Sequence, residues 1–537
     1  MTGGGERSHR EALEALSRDR AVSRIWAEDA SFWRTQVKDQ RTIANALGWL
    51  TTIERMEASL PDLTSFAAQA ATGTDRAVVL GMGGSSLAPL VFGDSFGRRP
   101  GYPLLQVLDS TEPSSVLQIA EGADLERALF IVSSKSGSTL EPNIFFDYFY
   151  SRVEKILGGK AGERFVVVTD PGSALEKEAE RRKVRRIFPG DPRIGGRYSA
   201  LSNFGLVPAA LAGVGVAELL RRARAMAGFC RLEGPENPGL SLGAAIGAAA
   251  LAGQDKLTFF VGAPVARFGM WIEQLIAEST GKEGKGILPV EGEPPGPPAV
   301  YGKDRFFAGI ARRGSREIPR AIEPLARAGH PCVSFEVEDA LDLGAEIFRW
   351  EFATAVAGGL LGINPFDQPN VQEAKDRTNE ILDGKSRVES PESGVVDQEA
   401  LRELLDSLRP GDYFAITAYL HDTPETAGRL ERIRLKVRDA LKTATTVGFG
   451  PRFLHSTGQF HKGGPGTGVF LQITAEPREN VQIPGKPYGF SEVVTAQAAG
   501  DLAALRSRGR RAVRVHLPQD VSPALEDLEA AVTSALQ

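Results

Sequence analysis

The spacing of apolar residues divides the chain into a helical start and three stretches of mixed pattern. Over residues 8–72 the apolar positions recur at helical spacing. Beyond them, short apolar runs end in turns and alternate with helical patterns, as in parallel sheets covered by helices. The predicted strands are 77–80, 104–108, 128–132 and 165–168; then 257–261, 305–310 and 332–337; and finally 413–417, 469–473 and 512–515.

This pattern predicts an α/β protein built from several domains. Long amphipathic helices are predicted at 342–361 and 522–536, and the proline-rich segment 291–298 is predicted to be a stiff surface loop. The polar, turn-rich segment 386–397 is a candidate boundary. The predicted units are an N-terminal helical segment 1–72, a first α/β domain 73–240, a second α/β domain 241–390 and a C-terminal α/β segment 391–537.

Composition narrows the class of protein. The chain has 537 residues, of which 42% are hydrophobic and 24% charged, as in ordinary globular proteins. A formal charge of −5 argues against bulk binding of nucleic acid or anionic membranes, although a local basic pocket stays open. Cys230 and Cys332 are the only cysteines, which argues against a disulfide framework and a cysteine metal site. With no 18-residue apolar stretch and no apolar signal core, we expect a cytoplasmic protein.

A loop rich in hydroxyl groups, residues 133–139, follows the third predicted strand and precedes a predicted helix start at Leu140-Glu141-Pro142. Strand, polar turn and helix N-terminus together favour an anion, because free backbone N–H groups and the helix dipole point into the turn. Five hydroxyls and the ammonium of Lys135 are available to a phosphate. A plain serine-rich turn is the alternative. The loop predicts a small phosphorylated ligand.

A glycine turn, residues 81–86, follows the first predicted strand. Its glycines allow close approach of the backbone to a ligand, and a turn that only tightens packing is the alternative. A dinucleotide site is disfavoured, because Ser86 stands where the G-x-G-x-x-G fingerprint has glycine and no convincing acidic residue closes the second strand in the manner of a dinucleotide site. In a parallel sheet this turn and the hydroxyl loop emerge at the same carboxyl edge, where ligands bind.

Three further segments carry charged candidates. Arg197 lies in a loop beside two glycines and can stabilise an oxyanion, or it is an ordinary surface charge. Gln274 and Glu278 share a helix face in apolar surroundings, where burial would raise the carboxyl pKa toward that of a general base; a solvated helix-end glutamate is the alternative. Lys375 is predicted about two turns into a helix with Pro369 in its first turn, where it is either functional or solvated.

Two of the six histidines, His455 and His461, lie in one glycine-rich loop. Six residues apart, without a cysteine or close carboxylate, they make a poor metal site. Acid–base catalysis is the functional interpretation, and a structural or surface histidine is the alternative for each. No metal site is predicted.

Taken together, these motifs resemble the phosphoglucose isomerase family over roughly residues 75–470. The resemblance rests on the glycine turn, the hydroxyl loop, the arginine loop 195–199, and the segments 274–282 and 366–375. It implies two sugar-isomerase α/β domains with mostly parallel sheets, usually in a homodimer with active sites at the interface. It also implies that no cofactor is needed.

The resemblance further implies a role for each motif. Glu278 would be the base that moves a proton between C2 and C1, Arg197 would stabilise a cis-enediolate, and His455 with Lys375 would assist ring opening. The implied substrate-binding residues are Ser85, Ser134, Lys135, Ser136, Ser138, Thr139, Gln274 and Gln368. The implied reaction is reversible aldose–ketose isomerisation of D-glucose 6-phosphate and D-fructose 6-phosphate, in glycolysis and gluconeogenesis.

The histidine motif departs from the family order. It follows the lysine motif here, whereas in the family it lies between the glutamate and lysine motifs. This order resembles the isomerase half of transaldolase–isomerase fusion proteins, although no transaldolase half is evident in these residues. His461 is therefore the alternative to His455, and a histidine supplied across a dimer interface would tolerate the displacement.

Two other functions are compatible with the sequence. A non-catalytic regulator that binds sugar phosphates would share the fold, but the combination of Glu278, Arg197 and Lys375 argues for catalysis. A nucleotide-dependent enzyme would use the glycine turn, but Ser86 argues against it.

Overall fold

The computed structural model describes residues 1–122, 124–370, 372–384 and 397–537. The start of the chain is helical, as the sequence predicts. Helix α1 lies against α11 and α4 against α9 and α10, so the segment packs on the helices that cover the first two sheets. Its helices are α1 (Glu6–Arg18), α2 (Ala21–Trp26), α3 (Val37–Ala44) and α4 (Thr52–Ala71).

The first sheet has five parallel strands in the order β2-β1-β3-β4-β5. Its strands are β1 (Arg76–Gly81), β2 (Leu104–Leu108), β3 (Ala128–Ser133), β4 (Phe165–Thr169) and β5 (Arg186–Pro189). Its helices are α5 (Leu87–Phe96), α6 (Pro113–Gly122), α7 (Leu140–Leu157), α8 (Ala174–Arg181), α9 (Asn203–Leu211) and α10 (Val216–Phe229). The pairing of Gly81 with Ser133 sets the ends of β1 and β3 side by side, so the glycine turn and the hydroxyl loop leave the sheet together.

The second sheet has four parallel strands in the order β7-β6-β8-β9. The chain runs through α11 (Pro238–Leu251), β6 (Lys256–Val261), α12 (Phe268–Thr280), β7 (Leu288–Val290), β8 (Arg305–Arg312), α13 (Glu317–Arg327), β9 (Cys332–Val337), α14 (Leu343–Leu361) and α15 (Gln372–Leu382). The predicted surface loop 291–298 is largely accessible, but Glu293 is buried and receives a hydrogen bond from Arg305 at 3.0 Å. The buried carboxylate anchors the loop, which the proline content alone does not reveal.

The third sheet is also parallel, in the order β11-β10-β12-β13. Its elements are α16 (Gln398–Asp406), β10 (Tyr413–Tyr419), α17 (Pro424–Leu441), β11 (Ala444–Phe449), α18 (Gly458–Gly463), β12 (Gly468–Ala475), α19 (Phe490–Ser507), β13 (Arg511–Leu517) and α20 (Val521–Ala535). The predicted boundary at 386–397 lies, apart from Asp397, outside the described residues. The predicted fold class, helices flanking parallel sheets, is confirmed.

The sheets are joined by packing as well as by the chain. One hydrophobic cluster unites the N-terminal helices with elements of the first two sheets, whereas the third sheet has a core of its own. Helix α19 links the third sheet to the first, because the Phe490 ring stacks on Phe145 of α7 with centroids 5.8 Å apart. No helix among the described residues is long and apolar enough to span a membrane.

Candidate active site

A cleft of about 330 Å³ opens where loops from all three sheets meet. Its walls come from the glycine turn, the hydroxyl loop, the arginine loop, α12, the segment before α15 and the histidine loop. Of the twelve residues predicted to form the site, eleven line this cleft and Ser138 does not. The eleven are Ser85, Ser134, Lys135, Ser136, Thr139, Arg197, Gln274, Glu278, Gln368, Lys375 and His455.

The hydroxyl loop forms an open cradle at the start of α7. The Ser134 hydroxyl is buried, and no hydrogen-bond partner for it is present among the described residues. Thr139 is the N-cap residue of α7 but its side chain makes no capping bond. The N–H groups of the first turn and the buried hydroxyl therefore remain available to an anion, which the helix dipole favours.

Two residues of the hydroxyl loop have other partners. The Lys135 ammonium forms an ion pair with Asp170 and donates to the backbone carbonyl of Asp191 at 3.0 Å, so its charge is held at the wall of the cleft. The Ser138 hydroxyl lies 3.0 Å from that of Ser136 and faces a neighbouring recess. The cradle itself is thus formed by Ser134, Thr139 and the helix start.

The glycine turn allows three loops to approach one another. A Cβ atom on Gly83, which has a φ of +54°, would stand 2.8 Å from Nε2 of Gln274 and 2.9 Å from the backbone oxygen of His455. A Cβ atom on Gly84 would lie 2.1 Å from the backbone oxygen of Gly196. Side chains at these positions would push the loops apart. The turn therefore assembles the site by close backbone contact.

Glu278 lies near the end of α12 with its side chain aimed into the cleft. The residue is 3% exposed. Its Oε2 atom accepts hydrogen bonds from Nε2 of Gln368 at 3.2 Å and from Nη1 of Arg197 at 3.5 Å. Burial raises the pKa of Glu278, and the charges of Arg197 and His455 oppose this rise without cancelling it. A buried carboxylate of raised pKa suits a general base.

Arg197 is fixed on all sides. Its Nε atom donates to the Ser279 hydroxyl at 2.7 Å, and Nη2 donates to the backbone oxygens of Pro365 and Asp367 at 2.6 and 3.1 Å. The guanidinium is fully buried beside Glu278. A cation held this rigidly stabilises negative charge without reorganising as the charge develops.

Lys282 supports the same segment, although the sequence motif alone did not single it out. Its Nζ atom donates to the backbone oxygens of Asn364 and Asp367 at 2.8 and 2.7 Å, and to Oδ1 of Asp367 at 2.7 Å. Burial, with the charge of Arg197, lowers the pKa of Lys282 to about 8. Lys282 and Arg197 thus hold the loop that presents Gln368.

These contacts change the predicted helix start. Pro369 is not in the first turn, because the described helix α15 begins at Gln372. The carbonyl groups of Asn364, Pro365 and Asp367 accept hydrogen bonds from Lys282 and Arg197, which holds the preceding chain out of helical geometry. Lys375 consequently lies in the first turn of α15 rather than the second. It is exposed and lines the cleft.

Gln274 lines the cleft and also has a partner within the protein. Its Nε2 atom donates to the backbone oxygen of His455 at 2.8 Å, which ties α12 to the histidine loop. Its Oε1 atom is buried and has no partner among the described residues. The amide therefore anchors the loop while its oxygen remains available in the cleft.

His455 reaches the cleft from the loop between β11 and α18 of the same chain. Its Nε2 atom donates to Oε1 of Glu141 at 3.1 Å, which leaves Nδ1 as the ring nitrogen for a substrate. Burial raises the pKa of Glu141, but the imidazole and its hydrogen bond outweigh burial, so this pKa lies below its usual value. Glu141 is a site residue that sequence reasoning missed, although it opens the helix after the hydroxyl loop.

His461 lies elsewhere. Its Nδ1 atom is 2.9 Å from the hydroxyl of Tyr413, and its ring packs edge-on against Phe470 in the third sheet. Burial lowers the pKa of His461 well below its usual value. Of the two histidines in the motif, the structure thus places His455 in the cleft.

The histidine loop is anchored to the first sheet by a second ion pair. Arg452 donates from Nε and Nη2 to the two carboxylate oxygens of Asp109, both at 2.9 Å. Asp109 directly follows β2, at the end of the strand where a dinucleotide site has its acidic residue. Its carboxylate is occupied by Arg452 rather than presented to a ribose.

A recess of about 90 Å³ adjoins the cleft behind His455. It is lined by parts of the hydroxyl loop, of α15 and of residues 397–537, the region of the third sheet, which we call the third unit. The lining residues include Ser138, Leu140, Glu141, Lys375, Thr378, Leu454, His455, Gly458, Lys462 and Gln497. Over the described part of the chain, no group of three or more His, Cys, Asp or Glu side chains is placed to hold a metal ion.

Comparisons with known proteins show what this chain is similar to. The family model described as phosphoglucose isomerase matches residues 17–287. The chain is 29% identical over 377 residues to a glucose-6-phosphate isomerase of Rubrobacter xylanophilus, covering 60% of this chain and 85% of the relative. Two solved structures share the fold. A hypothetical protein of Thermus thermophilus has a TM-score of 0.59 and 24% identity, covering 70% of this chain and 98% of its own. A glucose-6-phosphate isomerase of Chlamydia trachomatis has a TM-score of 0.56 and 18% identity, covering 72% and 87%.

Proposed function

The chain belongs to the phosphoglucose isomerase family, and from this premise we propose that its cleft interconverts D-glucose 6-phosphate and D-fructose 6-phosphate. The observation that carries this proposal is the buried Glu278 carboxylate, held beside Arg197 in a cleft that also contains an open anion cradle. The protein is an aldose–ketose isomerase, and we assign it to glycolysis and gluconeogenesis.

The phosphate would bind at the hydroxyl loop. Ser134, Thr139 and the N–H groups at the start of α7 supply donors, and Ser85 and Ser136 face the same space. This end of the sugar does not react, so its binding energy is available to orient the reacting carbons. Gln368 lies next to Glu278 and would hold the sugar hydroxyls there.

Ring opening is assigned to His455 with Lys375. Breaking the bond between C1 and the ring oxygen places a proton on that oxygen and releases one from the C1 hydroxyl as the carbonyl forms. His455 delivers the first proton from Nδ1 while Glu141 holds Nε2, and water takes up the second. The exposed Lys375 ammonium faces the same part of the cleft and would steady the oxygen as it is released.

Isomerisation is assigned to Glu278. Its carboxylate removes the proton from C2 of the open-chain aldose, and the carbonyl oxygen on C1 becomes an enediolate oxygen. The proton of the C2 hydroxyl passes to the oxygen on C1, and Glu278 returns its own proton to C1, which gives the ketose. Arg197 stabilises the enediolate charge, since its guanidinium is already fixed within 3.5 Å of Glu278. The raised pKa of Glu278 makes its carboxylate a stronger proton acceptor than an exposed one.

We further propose a homodimer and a cytoplasmic location. Both rest on the family resemblance, and the location rests also on the few cysteines and the charge. The site itself is built from one chain, because His455 comes from the third unit of the same molecule. A dimer is therefore not needed to supply the histidine.

The decisive experiment follows formation of fructose 6-phosphate from glucose 6-phosphate with purified protein and no added cofactor. Steady turnover is expected. Binding of the sugar phosphate without any turnover would favour a regulator on the same fold and overturn the proposal.

A further inference from the structure

We propose that Gln497, on α19 of the third unit, is a positioning residue for ring opening that acts on His455 through Glu141. The inference deepens the proposed function and rests on it. It gives a role to a segment, residues 476–537, for which the sequence suggested none.

The geometry is a chain of three hydrogen bonds between buried groups. Nε2 of Gln497 donates to Oε1 of Glu141 at 2.7 Å, and this same oxygen accepts from Nε2 of His455 at 3.1 Å. On its other side, Oε1 of Gln497 accepts from the hydroxyl of Thr111 at 2.6 Å. Gln497 is 3% exposed, and Thr111 is fully buried.

Only one orientation of the Gln497 amide is compatible with these three hydrogen bonds. A carboxylate accepts hydrogen bonds and cannot donate, so the Gln497 NH₂ group must face Glu141. The Thr111 hydroxyl is then free to donate to the amide oxygen. Both ends of the amide are therefore fixed, which keeps its donor aimed at Glu141.

Two donors on one carboxylate oxygen direct that oxygen toward the imidazole. Glu141 is buried, and a buried carboxylate with too few donors either takes up a proton or turns away. Without Gln497, Glu141 would hold the His455 ring less firmly. The other charged groups that face Glu141 are His455 itself and Lys375, and Lys462 in the same recess is paired with Asp501 at 2.6 Å.

Contacts with two other helices fix the position of α19 beside Glu141. The Phe490 ring stacks on Phe145 of α7, the helix that carries Glu141, and the buried pair of Lys462 and Asp501 ties α19 to α18. Gln497 lies between these two contacts on the same helix. The third unit thus supplies both His455 and the group that orients its carboxylate partner.

The test is the variant Gln497→Leu, with kcat, KM and the pH dependence of kcat measured against wild type. We expect kcat to fall about tenfold, the scale of losing one hydrogen bond to a charged group. KM for fructose 6-phosphate should change little, because Gln497 does not reach the phosphate cradle. The acidic limb of the kcat profile should move to higher pH, because Glu141 keeps its negative charge less readily.

Gln472→Leu is the matched control. Gln472 is a buried glutamine that bonds Ala498 of α19 and Arg514, but not Glu141. It should share any general loss of stability and leave the pH profile unmoved. Thr111→Val is a milder second variant that keeps the shape of the side chain, and it should shift the acidic limb in the same direction by a smaller amount.

Outcomes separate this inference from the function. If wild type isomerises but Gln497→Leu and Thr111→Val keep the wild-type pH profile, or move it no more than Gln472→Leu does, the inference is overturned and the function stands. If Gln497→Leu does not fold, an unmoved profile in Thr111→Val overturns it in the same way. Absence of turnover in wild type would instead overturn the proposed function.

Discussion

Single side chains set the acid–base properties of this site through burial and pairing. Glu278 is nearly inaccessible to water, which raises its pKa, whereas the imidazole of His455 outweighs burial at Glu141 and keeps the pKa of that carboxyl below its usual value. Two carboxylates, one in the cleft and one in the adjoining recess, thus differ in their affinity for protons. The first suits a base that takes a proton from carbon, and the second suits a permanent partner for an imidazole.

At this scale the first prediction concerns Glu278. Replacing it with Gln keeps the shape and the neighbours of the side chain but removes the base, so kcat should fall by roughly three orders of magnitude. Binding of fructose 6-phosphate, measured by calorimetry, should stay close to that of wild type. Near-normal turnover in Glu278→Gln would contradict the assignment.

A second prediction at the residue scale concerns Glu273, which precedes Gln274, a residue that lines the cleft. Burial, reinforced by the carboxylate of Glu291, raises the pKa of Glu273 to about 8. The folded protein therefore holds this proton more tightly than the unfolded chain, whose carboxyl pKa is near 4.5. The contribution to stability is present below pH 4.5 and is lost as pH rises toward 8.

The variant Glu273→Gln lacks this titration and should melt at a higher temperature than wild type at pH 8.5, with the difference shrinking as pH falls toward 4.5. Melting curves recorded between pH 4.5 and pH 8.5 test whether the difference in melting temperature grows with pH. Glu431→Gln is the control, because Glu431 faces the same cavity but is exposed. A larger stabilisation at low pH than at high pH would contradict the prediction.

At the scale of elements, short loops held by buried cations build the site. The segment 364–367 is irregular because the carbonyl groups of three of its residues accept from Lys282 and Arg197 rather than from helical N–H groups. The position of Gln368, and the start of α15 that carries Lys375, depend on these bonds.

We therefore expect Lys282→Met to act on catalysis through this loop. The variant keeps an apolar stem but leaves buried carbonyl groups without donors, at a cost in the free energy of unfolding of about 2–4 kcal/mol. The kcat for isomerisation should drop while the phosphate cradle is unaffected, so inorganic phosphate should still inhibit as it does in wild type. Arg320→Met, on an exposed turn of α13, is a control that should leave both properties unchanged. A wild-type kcat in Lys282→Met would show that the segment 364–367 keeps its conformation without the Lys282 ammonium.

The same scale explains what the sequence predicts and what it leaves out. Long apolar runs identify ten strands, whereas β5, β7 and β11 escape notice because they are short or poor in aliphatic residues: Arg186–Pro189 ends in proline, Leu288–Val290 has three residues, and Ala444–Phe449 contains two threonines and a glycine. These three strands lie at sheet edges. Strands β5 and β11 are only partly buried and so need less apolar sequence, whereas β7 is fully buried but too short to show a pattern.

Local motifs likewise predict the residues whose environment is local. The hydroxyl loop and the helix face of Gln274 and Glu278 are evident from spacing alone. The role of Glu141, by contrast, depends on its hydrogen bond with His455, which is 314 residues away. The role of Asp109 likewise depends on its ion pair with Arg452, which is 343 residues away. No spacing pattern within one segment contains such pairings, because they arise only when the third sheet docks on the first.

For the whole molecule, the third unit completes the site in the chain that also carries Glu278. His455 is anchored within that chain by Gln274, Glu141 and the ion pair of Arg452 with Asp109. The displaced histidine motif therefore needs no second subunit to reach the cleft.

A mixing experiment tests this arrangement. Glu278→Gln and His455→Asn are expressed together or refolded from a mixture, and activity is compared with the sum of the two variants alone. We expect the mixture to be no more active than the sum of the two variants. A site shared between subunits would instead restore roughly a quarter of wild-type activity, since half of random dimers are mixed and each would hold one intact site.

The recess behind His455 offers a route to selective inhibition. Leu454 and Gly458 of the third unit face Leu140 across it, and it opens beside the cradle expected to bind phosphate. A small molecule with an anionic group for the cradle and a compact apolar group for the recess would bind both units at once. It would compete with the sugar while holding the imidazole in place, and its selectivity would come from residues that lie outside the two sugar-isomerase sheets.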